Sequence, residues 1–441
     1  MLARQYALTT AAQVIQTLLG VVALFSLARV LEPAAFGQAI LLTTAVTLGT
    51  IAASAGFQAA LLILFARESS LRPALHGLAV TLSGVVGVSS VVAAILFASQ
   101  LHQVIGLEPA IVVMTAARVG PGMYAALVSA GFSGAGKIGR LAFVNVANGT
   151  LGLLAPIGAL AGGGSLEGAV AGALGGSALL AICAFGAARI IGLAAPHPSL
   201  WVRAIRIGLP LHIGTIAYWI MLRADGFVVS AMIGGKTVGL YTLALSLSER
   251  VSVLASPLYN ATAWRISGGD ARASLSVAVL VARIEIALAV VLAAAAWIVG
   301  PFAISLLAGP AYVAAAGPMT ILVVGATLLP VWASFGLYLA SQASGAWFTA
   351  RAQVMVAIIA VVGYVLLVPL WGMYGAALVS TGAYVLLVSI GLHEIRRRQP
   401  LPLHSLLPRR SDVAAARDML RRRRPPVASA LPDESGDDIR I

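Results

Sequence analysis

The chain is a succession of apolar runs, most of them about the length of a membrane-crossing helix, separated by short polar breaks. A helix needs about 20 apolar residues to cross the hydrocarbon core of a bilayer. Twelve stretches reach that length, at roughly 7–31, 38–65, 74–99, 109–131, 139–161, 167–192, 205–233, 237–263, 275–301, 314–343, 350–371 and 373–395. No connection between them exceeds about a dozen residues, which leaves no room for a soluble domain on either side. The pattern predicts an all-α polytopic membrane protein. Past residue 395 it stops: LPLHSLLPRR, RRRRPP and LPDESGDDIRI are rich in proline, arginine and acid, cannot build a core, and are expected to be disordered. Alanine and glycine are abundant enough that several spans should pack through small faces, as in AGGGSLEGAVAGALGGSA.

The basic residues orient these spans. With the amino terminus inside, the inner loops and helix ends hold Arg4, Arg67, Arg72, Lys137, Arg140, Arg189, Arg203, Arg206, Arg265, Arg272 and Arg351, and the outer connections hold only Arg29 and Lys236. Eleven against two is the bias expected of cytoplasmic loops. An even number of spans also places the arginine-rich tail inside, so both termini are expected in the cytoplasm. The first apolar stretch lacks a small-residue cleavage site and reads as a retained helix rather than a signal peptide.

Composition sharpens the class. Of 441 residues 60 % are hydrophobic and 10 % charged, against about a quarter charged in soluble domains. The mean hydropathy is +0.98. The net charge of +13 does not point to nucleic acid, because 11 of the 28 basic residues follow residue 395 and none forms a soluble face. The single Cys183 excludes intramolecular disulfides and cysteine metal sites. The six histidines are scattered near loops without metal-ligand spacing, so no metal and no cofactor is expected.

The two halves resemble each other. LEPAAFGQA (31–39), between spans one and two, aligns without gaps on IGGKTVGLY (233–241), between spans seven and eight, with Gly37 over Gly239. GAGKIGR (134–140) matches GAWFTAR (345–351), and SLEGAVAG (165–172) matches GMYGAALV (372–379) with Gly168 over Gly375. Two six-span repeats in one orientation form a common transporter plan, with the substrate site between the halves near the bilayer midplane. The expected units are 1–197 and 198–395, each a six-helix bundle, followed by a basic tail over 396–441.

LARVLEPAAFG (27–37), GLP (208–210), LRADGFVVSAMIGGKTVGLYTLA (222–244), LLAGPAY (306–312) and VPLWGMYGAALVSTGAY (368–384), in this order and with their spacing to SGAW (344–347), carry a family likeness. The chain resembles the bacterial polysaccharide biosynthesis exporters, the O-antigen and exopolysaccharide repeat-unit flippases of the superfamily that also contains multidrug and toxin extruders. The resemblance covers about residues 1–395. It implies a V-shaped pair of six-helix bundles alternating between inward and outward access in the bacterial inner membrane. It also implies a cargo, an undecaprenyl-diphosphate-linked oligosaccharide carried to the periplasmic leaflet. The chain departs from the family pattern at NATAWRIS (260–267), where a proline is common, and near Ser54 and Ala55, where an acidic residue is common.

The charges inside the proposed spans are few: Arg118, Arg223, Asp225, Glu249, Arg250, Arg283 and Glu285. An arginine or aspartate at a span centre costs about 2.5–3.5 kcal/mol on insertion scales, so such residues face a bundle interior or a wet cavity. Arg118 has no acidic residue at comparable depth in its half and reads as a cavity arginine. Arg223 and Asp225, two apart, point about 200° from each other on a helix. The expected arrangement aims Arg223 at the cavity and Asp225 at a neighbouring helix, with Arg250 as its partner. Arg29, at an outer helix end, is a candidate for the cavity mouth. Tyr218 and Asn145, with Asn148, Trp219, Tyr241 and Gln342, are candidate sugar contacts, each equally readable as packing. Glu249 with Arg250, and Arg283 with Glu285, read as ion pairs or helix clamps. Asp225 and Glu249 are the candidate coupling carboxylates if transport is driven by protons or sodium. An arginine-lined cavity suits a diphosphate, because the guanidinium stays charged and its forked donors match phosphate oxygens.

Partners implied are the lipid-linked glycan, membrane lipids and other polysaccharide assembly proteins. Two other functions compete. An ion-coupled drug or metabolite exporter would want first-half carboxylates within the spans, but Glu32, Glu68, Glu108 and Glu167 lie near loops. A polysaccharide polymerase, ligase or glycosyltransferase would want a catalytic set on a long external loop, and the spacing of the spans leaves none.

Overall fold

The computed structural model describes residues 2–105, 107–253, 259, 262, 265–266, 271–342, 345–399, 401–409 and 411–412. Among them there is no strand. The helices are α1 (Leu2–Val30), α2 (Pro33–Ala53), α3 (Phe57–Arg67), α4 (Arg72–Ile105), α5 (Pro109–Ala117), α6 (Val119–Gly134), α7 (Ile138–Leu151), α8 (Leu154–Ala161), α9 (Leu166–Ala188), α10 (Pro198–Met232), α11 (Gly235–Val253), α12 (Ala271–Ala303), α13 (Ala316–Ala326), α14 (Leu329–Ser341) and α15 (Gly345–Arg398). Proline opens α2, α5 and α10, where its missing N–H is one that no helix would use. Ser165 caps α9 by accepting from the Gly168 amide at 3.1 Å.

Among the described residues nine helices are long and apolar enough to cross a membrane, ten when Pro198–Leu209 and His212–Met232, bent by 53°, form one span. The 54-residue α15 is two arms, because Gly372 inside it has φ 57° and ψ −137°, a conformation open to glycine. Tyr364 and Ser380 would be about 24 Å apart on a straight helix, yet their hydroxyls are 3.0 Å apart. The arms therefore fold back on each other at the boundary expected between spans eleven and twelve. The expected eighth span, 237–263, is described as α11 up to Val253; residues 254–258, 260–261 and 263 lie outside the described residues.

Small residues set the tightest contacts. A Cβ on Gly158 would lie 2.8 Å from the Gly172 Cα, which brings α8 and α9 together backbone to backbone. The two halves of the chain meet in the same way at the end expected to face outside. There a Cβ on Gly37 of α2 would lie 2.6 Å from the Gly239 amide nitrogen of α11. Phe36 stacks edge-on against Tyr312 with ring centroids 5.5 Å apart, and the Tyr312 hydroxyl donates to the Leu31 carbonyl at 3.0 Å. At the opposite end Arg203 pairs with Glu68, and His212 Nε2 lies 3.2 Å from the Ala52 carbonyl.

The tail departs from expectation over its first part. Disorder is expected from residue 396 onward, but Leu401 and Leu406 pack against the cluster of Leu275, Val279, Phe335 and Leu339. Asp412 forms an ion pair with Arg283 at 2.9 Å. The leucines of LPLHSLL give this stretch an apolar surface to bury, which the arginine count obscures. Residues 413–441, with the second arginine run, lie outside the described residues.

Gly37→Ala is expected to lower the thermal midpoint of the purified protein, because its methyl group would meet the Gly239 backbone. Gly49→Ala, on the same helix with its nearest neighbour 3.9 Å away, is expected to leave the midpoint unchanged or raise it, alanine being about 1 kcal/mol better than glycine in a helix. Equal shifts at both positions would contradict the close contact.

Candidate functional site

Arg118 owes its position to a break in its span. Pro121 has no N–H to donate to the Ala117 carbonyl, so the helix is interrupted between α5 and α6 and Arg118 lies at the join. Its side chain is 7 % exposed. Nη1 reaches Thr43 Oγ1 at a long 3.3 Å, and Nε has no partner among the described residues. It lines a cavity of about 360 Å³ enclosed by α1, α2, α7, α8 and α9. Arg250 enters this cavity from α11, in the other half of the chain. Its guanidinium occupies the place where a Cβ on Gly20 would stand, and its Nε is also unpartnered among the described residues. The other polar residues lining the space are Gln16, Thr43, Asn148 and Ser177, and no carboxylate is among them. Two arginines from opposite halves thus face one chamber whose mostly apolar wall carries four neutral hydrogen-bonding side chains, an arrangement suited to an anion that carries hydroxyl groups.

A second chamber of about 300 Å³ lies beside the first, bounded by Thr47, Thr50, Gln58 and Trp219. Thr43, Thr47 and Thr50 stand at i, i+4 and i+7 of α2, hence on one face. Thr43 lines the arginine chamber, and Thr47 and Thr50 line the second one. This face escaped the sequence reading, although TTAVTLGT displays the period.

The structure redistributes the expected charges. Arg223 is not a free cavity arginine: its Nη1 pairs with Glu249 Oε2 at 2.8 Å, and its guanidinium sits 5.5 Å from the centre of the Trp219 ring. Asp225 does not pair with Arg250. Its buried carboxylate accepts from the Tyr241 hydroxyl at 2.7 Å, Ser380 Oγ at 3.1 Å and the Gly226 amide at 2.7 Å. Glu249 and Arg250 do not pair either, because neighbours on a helix diverge by about 100° and Arg250 turns to the first half. Nor do Arg283 and Glu285: Arg283 takes Asp412, and Glu285 meets Ser334.

Arg29 acts between the halves rather than at an open mouth. Its Nε donates to the Leu307 carbonyl at 2.8 Å and its Nη2 to that of Leu306. These carbonyls end the π-helical turn Ile304–Ala308 that follows α12, where helix carbonyls lack intrahelical donors. Asn145 is not among the cavity-lining residues; Asn148, one turn on, is. Tyr218 packs against the central apolar cluster, and Tyr241 is engaged by Asp225. Gln342 donates to Ser341 Oγ at 3.1 Å, away from both chambers.

A family model described as polysaccharide biosynthesis protein matches residues 2–264. No curated protein sequence matches the chain significantly. Among solved structures, the lipid II flippase MurJ in an inward closed conformation is similar at TM-score 0.72 and 13 % identity, over 94 % of this chain and 91 % of the other. An inward-facing multidrug resistance MATE family transporter of the MOP superfamily gives 0.67 and 15 %, over 89 % and 98 %. A MOP superfamily transporter from Pyrococcus furiosus gives 0.63 and 14 %, over 90 % and 95 %. The fold is that of these transporters.

Arg223→Ala leaves Glu249 without its cation and is expected to lower the thermal midpoint in detergent. The loss should fall somewhat below the roughly 3–5 kcal/mol of fully buried pairs, since both side chains keep about a fifth of their surface exposed. Adding Glu249→Ala should restore part of it. Arg118→Ala, which breaks no ion pair among the described residues, should leave the midpoint unchanged or raise it, and a loss as large as that of Arg223→Ala would overturn this assignment.

Proposed function

Because the chain belongs to the polysaccharide biosynthesis protein family, we propose that it is a flippase for lipid-linked oligosaccharides. It moves undecaprenyl-diphosphate-linked repeat units from the cytoplasmic to the periplasmic leaflet of the bacterial inner membrane. The observation that carries this reading is the pairing of Arg118 and Arg250 across the two halves in one chamber without a carboxylate. The diphosphate is held between the guanidinium groups. The sugars lie along Gln16, Asn148, Ser177 and the threonine face of α2, and the prenyl chain stays in lipid. Access alternates as the two bundles, 1–197 and 198–395, rock about their contacts at either end. The work is transport and not chemistry on the glycan, and both termini face the cytoplasm. O-antigen or exopolysaccharide repeat units are the cargo class, handed over by other assembly proteins.

The multidrug exporter reading has support from the shared fold, but the chamber argues against cationic drugs, which would meet two arginines and no acid.

The test depletes the protein in its own host and quantifies undecaprenyl-diphosphate-linked glycans by leaflet. Wild type should restore the periplasmic pool. Arg118→Ala and Arg250→Ala should each slow flipping about ten- to hundredfold, the loss of one charge-assisted hydrogen bond of about 1.5–3 kcal/mol. An unchanged leaflet distribution on depletion, with no second flippase present, would remove the proposal. Full rescue by both arginine variants would keep the activity and discard the chamber.

A further inference from the structure

Trp347, Arg351, Met355, Ile358 and Ile359 of α15 follow one another at intervals of four, four, three and one residues, so they share one face of the helix. All five are exposed. With Ile213 of α10 beside them they line a groove of about 370 Å³. The two helices touch closely along it: a Cβ on Gly214 would lie 3.2 Å from the Ala350 Cα, and Ala350 also lines the groove. The groove is apolar except near the start of α15, where Arg351 stands one turn from Trp347.

Among the described residues Arg351 has no ion-pair partner, and no acid lines the groove. In the ungapped match of GAGKIGR with GAWFTAR the residue facing it is Arg140, which donates to the Ala187 carbonyl. Matching places in the two halves thus hold one arginine engaged by the protein and one left over an apolar groove. From Trp347 to Ile359 the stripe rises about 18 Å on a regular helix. One leaflet of the hydrocarbon core is about 15 Å deep, so the groove runs the depth of a single leaflet. Tryptophan is enriched at headgroup level, which puts the Arg351 end at the membrane surface and the isoleucines toward the midplane.

We propose that this groove is a binding site for one acidic phospholipid of the bilayer, its phosphate on the Arg351 guanidinium and one acyl chain lying along α15 as far as Ile359. The forked donors of arginine suit phosphate oxygens. A headgroup with net negative charge is preferred because no acid offsets Arg351 at the groove, whereas the ammonium of a zwitterionic lipid brings a second cation beside it. The site is separate from the transport path, since its residues line neither chamber. Its assignment to the cytoplasmic leaflet rests on the orientation proposed above, with the start of α15 inside. The site itself rests on neither that orientation nor the cargo.

The experiment places the full-length protein in phosphatidylcholine nanodiscs and adds phosphatidylglycerol with a nitroxide on its acyl chain, which quenches nearby tryptophans. Subtracting the Trp347→Phe signal isolates Trp347 among the seven tryptophans. The labelled phosphatidylglycerol should quench Trp347 at a mole fraction about fivefold lower than phosphatidylcholine carrying the same label, the gain from one cation facing an acidic lipid at the membrane surface. Arg351→Ala should abolish that preference and leave the thermal midpoint in detergent unchanged, because it breaks no ion pair among the described residues. Arg189→Ala, which removes an exposed arginine of the first half, should keep the preference. Equal quenching by the two labelled lipids in wild type would overturn the site. Equal loss of preference in both arginine variants would reduce it to diffuse surface charge and overturn it as well. Full displacement of the labelled phosphatidylglycerol by a substoichiometric amount of undecaprenyl diphosphate would give the groove to the cargo and overturn the phospholipid. Failure of the flippase reading changes none of these outcomes, since only the bilayer lipid is measured.

Discussion

Everything between the two halves depends on the crossing of α2 and α11 at Gly37 and Gly239. The two glycines stand at the same place in the ungapped match of LEPAAFGQA with IGGKTVGLY, and the fold brings them into backbone contact. The backbones approach so closely that a methyl group on either would have to displace the other. With α2 and α11 pinned at one end, the face of α2 with Thr43, Thr47 and Thr50 borders the two chambers, and α11 can reach across to deliver Arg250. Glycine here is a condition of the cavity as much as of the packing.

The second constraint is the cost of charge in an apolar medium. The second half settles most of its charges internally: Arg223 with Glu249, Arg283 with Asp412, Glu394 with Arg397 and Arg398. Asp225 is surrounded by hydroxyl and amide donors. The first half has no intramembrane acid to offer Arg118, and it receives Arg250 as well. The asymmetry leaves two cations facing one space, each disfavoured by about 2.5–3.5 kcal/mol at the membrane centre on insertion scales. Water can relieve part of that cost, and a multivalent anion relieves more.

Much of this was legible in the chain. The helical class, the run of membrane-length apolar helices and the boundary at Gly372 follow from periodicity and from the placement of glycine. Which charged side chains belong together does not follow, because pairing is decided between helices far apart in sequence. Neighbours such as Glu249 and Arg250, or Arg283 and Glu285, suggest pairs on paper, but helix geometry turns them to different faces and different partners. Arg29 shows the same limit: its acceptors are carbonyl groups 277 and 278 positions away, and no residue type announces a carbonyl at a helix end. The docked segment, described as far as Asp412, was masked by composition, its few leucines outweighed by arginine and proline.

The location of the two chamber arginines bears on how cargo and conformation are linked. A ligand shifts a conformational equilibrium only by its difference in affinity between states. Arg118 and Arg250 belong to opposite halves, so their separation changes when the halves move. An anion that touches both is therefore bound with different strength in different states, whereas one that touched a single half would be indifferent to the motion. Before an anion arrives, two guanidinium groups with no ion-pair partner among the described residues oppose any state that excludes water from the chamber. A diphosphate removes that opposition, and a neutral lipid does not. On the proposed function, selectivity for an anionic lipid head and the dependence of closure on its presence follow from one arrangement of charge.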